Sequence, residues 1–239
     1  MASKRKTDYD AALGHRYKWL DGSSLINVTA ISDCMDLGKS MGMAYGAVKI
    51  ARAGGDFRAE WDAKRDLGTE IHDHLESFLR GESIEQTDAQ KGHVDALERW
   101  IVDMDPDVLE LESILLSARG FGGRCDNVST LGAGLYAGLT GVIDLKSGRR
   151  SPVSHSLQLA LYRHADGIAV FDDAGSLTGI RPLPPIDFGA ALYTRSDGTY
   201  VFQPYPCDDA VYEKALGLLD AVAWTRSDEM KALEKEAKA

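Results

Sequence analysis

The sequence predicts an α/β fold with a mainly helical first part and a strand-rich remainder. Apolar residues recur at helical spacing in residues 57–81 and 88–104. Residues 107–146 instead combine β-branched and apolar runs with glycine-rich turns, as neighbouring strands do. With 239 residues and 44% hydrophobic content, the chain is long and apolar enough to bury a sizeable core.

The chain shows no internal repeat and no low-complexity linker, so we expect a single domain over residues 1–239. Its expected parts follow one another along the chain. They are a mainly helical front part at 1–105, a core that carries the chemistry at 106–166, and a strand hairpin with a final helix at 167–239.

The first elements are short. Residues 15–31 predict a hairpin whose turn is Asp21-Gly22, because Asp-Gly favours tight hairpin turns. Thr29 is the predicted cap of a following helix, since its hydroxyl can accept from a free backbone N–H. That helix is predicted within residues 30–53 and ends at a pair of glycines.

Two amphipathic helices follow, and the first, residues 57–81, has the stronger pattern. His72 lies on the inward edge of its apolar stripe, whereas His74 falls further round the helix. Residues 88–104 form the second helix, and together the two should cover the sheet. The inward residues of both stripes are Leu67, Ile71, Leu75, Phe78, Val94, Leu97, Trp100 and Ile101.

Three strands are predicted next, and each carries an acid. They cover residues 107–117, 120–130 and 135–146. An antiparallel meander would bring Asp126 of the second strand next to Asp144 of the third. Because strand side chains alternate between faces, Lys146 shares a face with Asp144. Glu112, on the first strand, is flanked by apolar residues and is expected to face the same pocket.

The last third of the chain is predicted to contain one helix, a strand-rich segment and a final helix. Residues 154–165 are helical in pattern, and Gln158 and Tyr162 share a face at spacing i, i+4. Residues 167–205 are strand-rich, with a hairpin turn at Ser196-Asp197-Gly198. Residues 208–236 predict one terminal helix.

The charge and the cysteine content indicate the cellular compartment in which the protein works. The net charge is −10, although several arginines lie near the acids in sequence. Cys34, Cys125 and Cys207 are widely separated, so we expect a reducing compartment, the cytoplasm, and no disulfide scaffold. No apolar stretch approaches the roughly 20 residues that cross a membrane. The start of the chain is basic without an apolar run, and residues 1–14 are expected to be loose.

Three converging carboxylates would repel one another unless a cation lies between them. Mg²⁺ prefers oxygen ligands, and a bound divalent ion can acidify a water and neutralise charge on a phosphate. Lys146 would orient or deprotonate the attacking water, or stabilise the charge that develops. The candidate catalytic residues are therefore Glu112, Asp126, Asp144 and Lys146. The candidate substrate contacts are Gln158, Tyr162, Arg124, Arg149 and Arg150, with Arg119 and Arg163 expected nearby.

The chain resembles the PD-(D/E)XK nuclease superfamily, in the RecB-like branch that includes the CRISPR-associated RecB-like exonucleases and phage exonucleases. Five motifs in the family's order carry this resemblance, roughly over residues 65–165. They are the Gly-x-x-x-His of Gly68 and His72, the acid Glu112, the Gly-x-x-Asp ending at Asp126, the Asp-x-Lys of Asp144 and Lys146, and the Gln-x-x-x-Tyr of Gln158 and Tyr162.

The resemblance implies a restriction-endonuclease-like core, with a central mixed sheet flanked by helices. It implies Mg²⁺ or Mn²⁺ held by His72, Asp126, Asp144 and the Leu145 carbonyl. It also implies hydrolysis of DNA in phage or bacterial recombination or repair. Many CRISPR-associated relatives use four cysteines for an iron–sulfur cluster. This chain has three, so a four-thiolate cluster within one chain is excluded.

Three functions stay open at this point. A metal-dependent exonuclease on linear or single-stranded DNA is favoured by the complete motif set. A non-catalytic module that binds a DNA end or a partner is favoured mildly by the acidic net charge. A structure-selective endonuclease is the third. Neither a recombination or helicase partner nor the oligomeric state follows from these residues.

Overall fold

The computed structural model of the protein describes residues 16–82 and 85–237 as one sheet with helices on both faces. The predicted loose segment 1–14 lies outside these residues. The strands are β1 (Ile26–Asn27), β2 (Pro106–Ser117), β3 (Phe121–Leu131), β4 (Thr140–Lys146), β5 (Gly167–Phe171), β6 (Leu177–Arg181), β7 (Phe188–Thr194) and β8 (Tyr200–Tyr205). The helices are α1 (Val28–Ser32), α2 (Leu37–Arg52), α3 (Phe57–Leu79), α4 (Asp88–Met104), α5 (Pro152–Arg163), α6 (Asp209–Thr225) and α7 (Asp228–Glu236).

The sheet is mixed, as predicted, and its strands lie in the order β6-β5-β2-β3-β4-β7-β8. The meander β2-β3-β4 is antiparallel, which confirms the predicted arrangement of the three acid-bearing strands. Parallel pairs occur where β4 meets β7 and where β1 meets β3. The connection from β4 to β7 includes α5, which crosses one face of the sheet as parallel pairing requires.

Two apolar layers hold the helices to the sheet. On one face, α1, α5 and α6 pack on strand residues such as Val128 and Val142. On the other face, α3 and α4 pack on Ile143 and Leu145, with Trp100 fully buried. Neighbouring residues of β4 thus enter opposite layers, as strand alternation dictates. The predicted α/β class and the helical front part are confirmed.

Four local features differ from the prediction. The turn at Gly22 forms, with an isolated bridge between Lys18 and Ser24, but no extended hairpin follows it. Asn27, not Thr29, caps α1, because its side-chain oxygen accepts the backbone N–H of Thr29. β4 begins at Thr140, since residues before it form a turn. The predicted terminal helix is two helices, with α6 ending before Ser227 caps α7.

Within the described ranges, no helix combines the length and the apolar composition needed to span a membrane.

Gly92→Ala is expected to lower the free energy of unfolding by about 3 kcal/mol, because α4 packs directly on the β7–β8 turn. A Cβ at Gly92 would lie 1.9 Å from the backbone oxygen of Ser196, which cannot rotate away. Gly217→Ala is the matched control, since its Cβ would meet nothing within 4 Å on α6. That change should stabilise the protein by about 0.5–1 kcal/mol through helix propensity. Denaturant unfolding of both variants measures the contrast, and equal stability would contradict it.

Candidate active site

The three acid-bearing strands and α3 meet at one buried cluster. Pairing of Leu111 with Asn127 and of Ser113 with Cys125 places Glu112 of β2 opposite Asp126 of β3. Both carboxyl groups are buried. His72 reaches them from α3, with its Nδ1 3.4 Å from Asp126 Oδ1. Potential ligand atoms of His72, Glu112 and Asp126 all lie within 4.8 Å of one another.

The backbone at Glu112 is strained. Its φ is +49°, in the left-handed region that residues with a side chain seldom adopt. Such a conformation costs roughly 1–3 kcal/mol and persists only where the surrounding structure enforces it. Here the strain coincides with a carboxylate that is 2% exposed and that faces a second acid. Strain and charge repulsion thus concentrate at the same residue.

Asp144 and Lys146 form an ion pair beside this cluster. Lys146 Nζ lies 2.6 Å from Asp144 Oδ2, as the shared strand face predicts. Gln158 of α5 donates to the other oxygen of Asp144 at 3.0 Å and contacts Tyr162, one turn along. The Tyr162 hydroxyl donates to the backbone oxygen of Arg124 at 2.6 Å. The structure therefore brings the predicted Gln–Tyr pair and Asp–Lys pair into one hydrogen-bonded network.

A backbone hydrogen bond links the cluster of His72, Glu112 and Asp126 to the strand that carries Asp144 and Lys146. The N–H of Leu145 donates to Asp126 Oδ2 at 2.7 Å, which ties β4 to the cluster on β3. Asp144 directs its two oxygens to Lys146 and Gln158, so it stands outside the three-residue ligand group. Metal coordination by Asp144 and by the Leu145 carbonyl stays a prediction.

Burial and neighbouring charges shift the pKa values of the side chains at this site. Burial and the nearby Asp126 raise the pKa of Glu112 to about 8, and the guanidinium of Arg124 offsets this only in part. Burial also raises the pKa of Asp144, against the opposing charge of Lys146. Burial alone would raise the pKa of Asp126, but His72, Lys146 and the Leu145 N–H together lower it. Asp144 and Asp126 raise the pKa of Lys146 although burial opposes them.

The cluster suits a divalent cation. His72 Nδ1 and Glu112 Oε2 are buried and make no well-aligned hydrogen bond among the described residues. Each has one charged neighbour, Asp126 Oδ1 at 3.4 Å from His72 Nδ1 and Arg124 Nε at 2.9 Å from Glu112 Oε2. Buried polar atoms of this kind are costly unless a partner satisfies them. One imidazole and two carboxylates are a donor set that Mn²⁺ and Mg²⁺ accept. The residues present therefore fit the metal that the sequence predicts.

A cleft of about 700 Å³ opens beside the Asp–Lys pair. Its wall includes Lys146 and Gln158, so the predicted catalytic lysine has access to it. The other lining residues come from α1 and the turn after it, α2, α3, the turn after β4, and α5. They are Thr29, Asp33, Asp36, Gly42, Met43, Trp61, Lys64, Arg65, Gly148, Arg149, Ser151, Ser154 and His155.

The structure places the predicted arginines at different positions relative to the cleft. Arg149 lines the cleft and pairs with Asp36 at 2.9 Å. Arg150 lies over the Tyr193 ring at 5.3 Å and lines an adjacent pocket of about 430 Å³. Arg124 pairs with Glu112 at the cluster itself. The expectation that Arg163 lies nearby is wrong, because its guanidinium lies 3.8 Å from Cys207 Sγ, away from the cleft.

Arg119 likewise does not line the cleft, because it lies in the turn between β2 and β3. The free thiol of Cys125, next to Asp126, is buried in the apolar layer under α5, and burial raises its pKa well above the ordinary value. His74 was expected further round α3 than His72, yet it is the more buried of the two and contacts Gln90 at 3.4 Å.

Three cleft residues on α3 were missed: Trp61, Lys64 and Arg65. Their signal is periodicity, because they precede Gly68 and His72 by whole turns of the same helix. A Cβ at Gly68 would lie 3.3 Å from Ser147 Oγ, so α3 passes close over the turn that follows Lys146. The face of α3 that carries His72 therefore also forms the wall of the cleft.

His155 is a further cleft residue that sequence reasoning missed. Its Nδ1 lies 2.5 Å from the Tyr193 hydroxyl, which in turn lies 3.0 Å from that of Tyr205. Burial, together with the charge of Lys146, lowers the pKa of His155 to about 4. The imidazole is therefore neutral at pH 7.

Comparisons with known proteins place the chain near two solved structures. No protein-family model matches it, and no curated protein matches it. The crystal structure of LHK-Exo in complex with dAMP is similar with a TM-score of 0.43 and 13% identity, over 90% of this chain and 93% of that one. The crystal structure of SSO0001 is similar with a TM-score of 0.42 and 15% identity, over 93% and 84%. The geometry of the site itself is therefore what bears on function.

Proposed function

We propose that the chain is a divalent-metal-dependent nuclease that hydrolyses phosphodiester bonds of DNA from an end. One observation carries the proposal. A cluster of His72, Glu112 and Asp126, strained at Glu112, lies beside the Asp144–Lys146 pair, and Lys146 lines a cleft. Buried acids that face one another cost stability, so their convergence next to a lysine that lines a cleft favours a functional role over a structural one.

Each residue then has a distinct role. His72, Glu112 and Asp126 would hold Mg²⁺ or Mn²⁺, with Asp144 and the Leu145 carbonyl as the further ligands that the resemblance implies. A bound divalent ion supplies an acidified water and neutralises negative charge on a phosphate. Lys146 orients a water and places a positive charge beside the phosphate in the cleft.

Gln158 and Tyr162 of α5 position this lysine through Asp144. Gln158 donates to Asp144, and Asp144 in turn holds the ammonium group of Lys146 at 2.6 Å. Tyr162 anchors the same network to β3 through the backbone of Arg124. Arg149 and Arg150 follow the turn after Lys146 and would contact the DNA backbone. Arg124 is a further candidate contact, although it also forms an ion pair with Glu112.

DNA as the substrate rests on the order of the motifs and on the basic residues of the cleft. The same motif order supports the RecB-like branch of the PD-(D/E)XK superfamily, and with it a place in phage or bacterial recombination or repair in the cytoplasm. The net charge of −10 predicts weak binding that depends on metal rather than tight sequence-specific recognition.

Incubation with linear and with covalently closed circular DNA tests the proposal. We expect linear DNA to be degraded with Mg²⁺ or Mn²⁺ and to survive with a chelator or with Lys146→Ala, while circles stay intact. Cutting of circles would instead identify an endonuclease. A folded protein that cuts neither substrate with either metal would contradict the proposal and leave a binding module.

A further inference from the structure

The cleft beside Lys146 contains an exposed tryptophan. Trp61 lies on α3, is 38% exposed, and lines the same cavity as Lys146 and Gln158. Phe57, one turn earlier, supports it with ring centroids 5.7 Å apart. An exposed indole at the wall of a cleft is available to a planar ligand.

Basic residues accompany this aromatic face. Lys64 and Arg65 lie on the next turn of α3 and line the cleft, and Arg149 lies on the turn after β4. Arg65 and Arg149 are partly neutralised by ion pairs with Asp62 and Asp36. Proteins that hold a single nucleic-acid strand combine these two features, with cations along the backbone and aromatic faces under the bases.

We propose that Trp61 is a stacking platform for a nucleobase of a single-stranded DNA end whose backbone passes Lys146. This inference rests on the proposed function and names the form of its substrate. Stacking on Trp61 needs an uncovered base face, and in a duplex the neighbouring base pairs cover that face. The tryptophan therefore favours a single strand, or the frayed end of a duplex, over paired DNA.

The spacing along α3 sets where the stacked base lies. Trp61 precedes His72 by three helical turns, which is about 16 Å along the helix axis. At the rise of about 3.4 Å per stacked nucleotide, this corresponds to no more than about five nucleotides. The base on Trp61 thus belongs to the same strand segment as the phosphate at Lys146, a few nucleotides away.

Binding of a short fluorescein-labelled single strand tests this inference, with Lys146→Ala as the background so that the DNA survives in Mg²⁺. Trp61→Ala should weaken binding about tenfold or more, since stacking on one aromatic side chain contributes that much per base. Trp61→Phe keeps an aromatic face and should bind within a few-fold of the background. Trp224→Ala removes a more exposed tryptophan, 57% exposed on α6 and outside the cleft, and should change nothing.

Two further measurements are the affinity for a blunt duplex and the intrinsic tryptophan fluorescence. Trp61→Ala should leave duplex affinity nearly unchanged, and quenching of tryptophan emission by the single strand should disappear in Trp61→Phe. Equal affinities of the Trp61→Ala and Trp224→Ala variants, or quenching that persists in Trp61→Phe, would overturn the inference. So would the absence of single-strand binding both in this background and in the unmodified chain with a chelator, where the DNA also survives.

The two proposals can fail separately. If the unmodified chain degrades linear DNA but Trp61→Ala binds single strands normally, the stacking role is wrong and the nuclease stands. If Trp61→Ala loses single-strand binding but the unmodified chain cuts no DNA, the platform is supported and hydrolysis is not. Circular dichroism of each variant checks that the overall helix content of the chain is unchanged.

Discussion

Asp144→Asn and Lys146→Met each lower the expected rate of DNA hydrolysis by about a hundredfold or more, as loss of one charge-stabilising group does in other active sites. The two side chains act as a unit, because the ammonium group is held 2.6 Å from the carboxylate. The double variant should therefore be no slower than the slower single variant. Initial rates on linear DNA at saturating Mg²⁺ measure all three.

Thermal stability distinguishes the loss of a catalytic group from damage to the folded structure. Lys146→Met leaves the buried Asp144 carboxylate without its cation, which costs up to about 3–5 kcal/mol when a buried pair is broken. The double variant removes the unpaired charge and should recover thermal stability without recovering activity. Activity that returned along with stability would show that Lys146 is structural. Lys91→Met, which removes an exposed lysine from an ion pair on α4, should leave the rate unchanged.

Periodicity predicted most of what positions the site. The apolar stripe of α3 correctly placed Ile71 and Leu75 in the core, and therefore placed His72 at the edge of the helix that faces the sheet. Alternation along β4 put Asp144 and Lys146 side by side. These patterns are local, and burial of an apolar stripe or face leaves little freedom in where the intervening polar side chains point.

Contacts between distant elements were not predictable in the same way. The left-handed backbone of Glu112 depends on the register of β2 against β3, which no local pattern encodes. The pairing of Arg124 with Glu112 follows from that register, so an arginine expected to contact substrate also contacts an acid of the cluster. Asn27, rather than Thr29, is the cap because β1 ends at Asn27 and α1 begins at the next residue, Val28.

The environments of His74 and Trp61 were also not predictable from the sequence. His74 looked peripheral on α3 alone, yet α4 covers it and supplies Gln90 as its partner. Trp61 was not singled out in the sequence, because its position at a cleft depends on how α3 packs over the turn after β4. In both cases the packing of a second element, rather than the residue's own helix, decided the environment.

Removal of a single ligand should abolish stabilisation by metal. A divalent ion that binds only the folded chain stabilises it by about 2.7 kcal/mol at a hundred times its dissociation constant. For a chain of this length that corresponds to a rise in Tm of roughly 5–10 °C. Asp126→Asn and Glu112→Gln should each weaken Mn²⁺ binding by at least about a hundredfold, since even the residues that support metal ligands contribute tenfold to a hundredfold.

Calorimetric titration with Mn²⁺ and thermal melts with and without the ion measure this effect without any nuclease assay. Glu98→Gln is the matched control, because Glu98 is an exposed acid on α4, outside the cluster. A Tm rise that persists in Asp126→Asn would show that the ion binds elsewhere. Asp144→Asn then tests the side-chain ligand that the resemblance implies and that lies outside the group of His72, Glu112 and Asp126. If its Tm rise is lost as well, Asp144 turns from Lys146 towards the metal on binding. If the rise is kept, His72, Glu112 and Asp126 hold the ion and Asp144 serves to position the lysine.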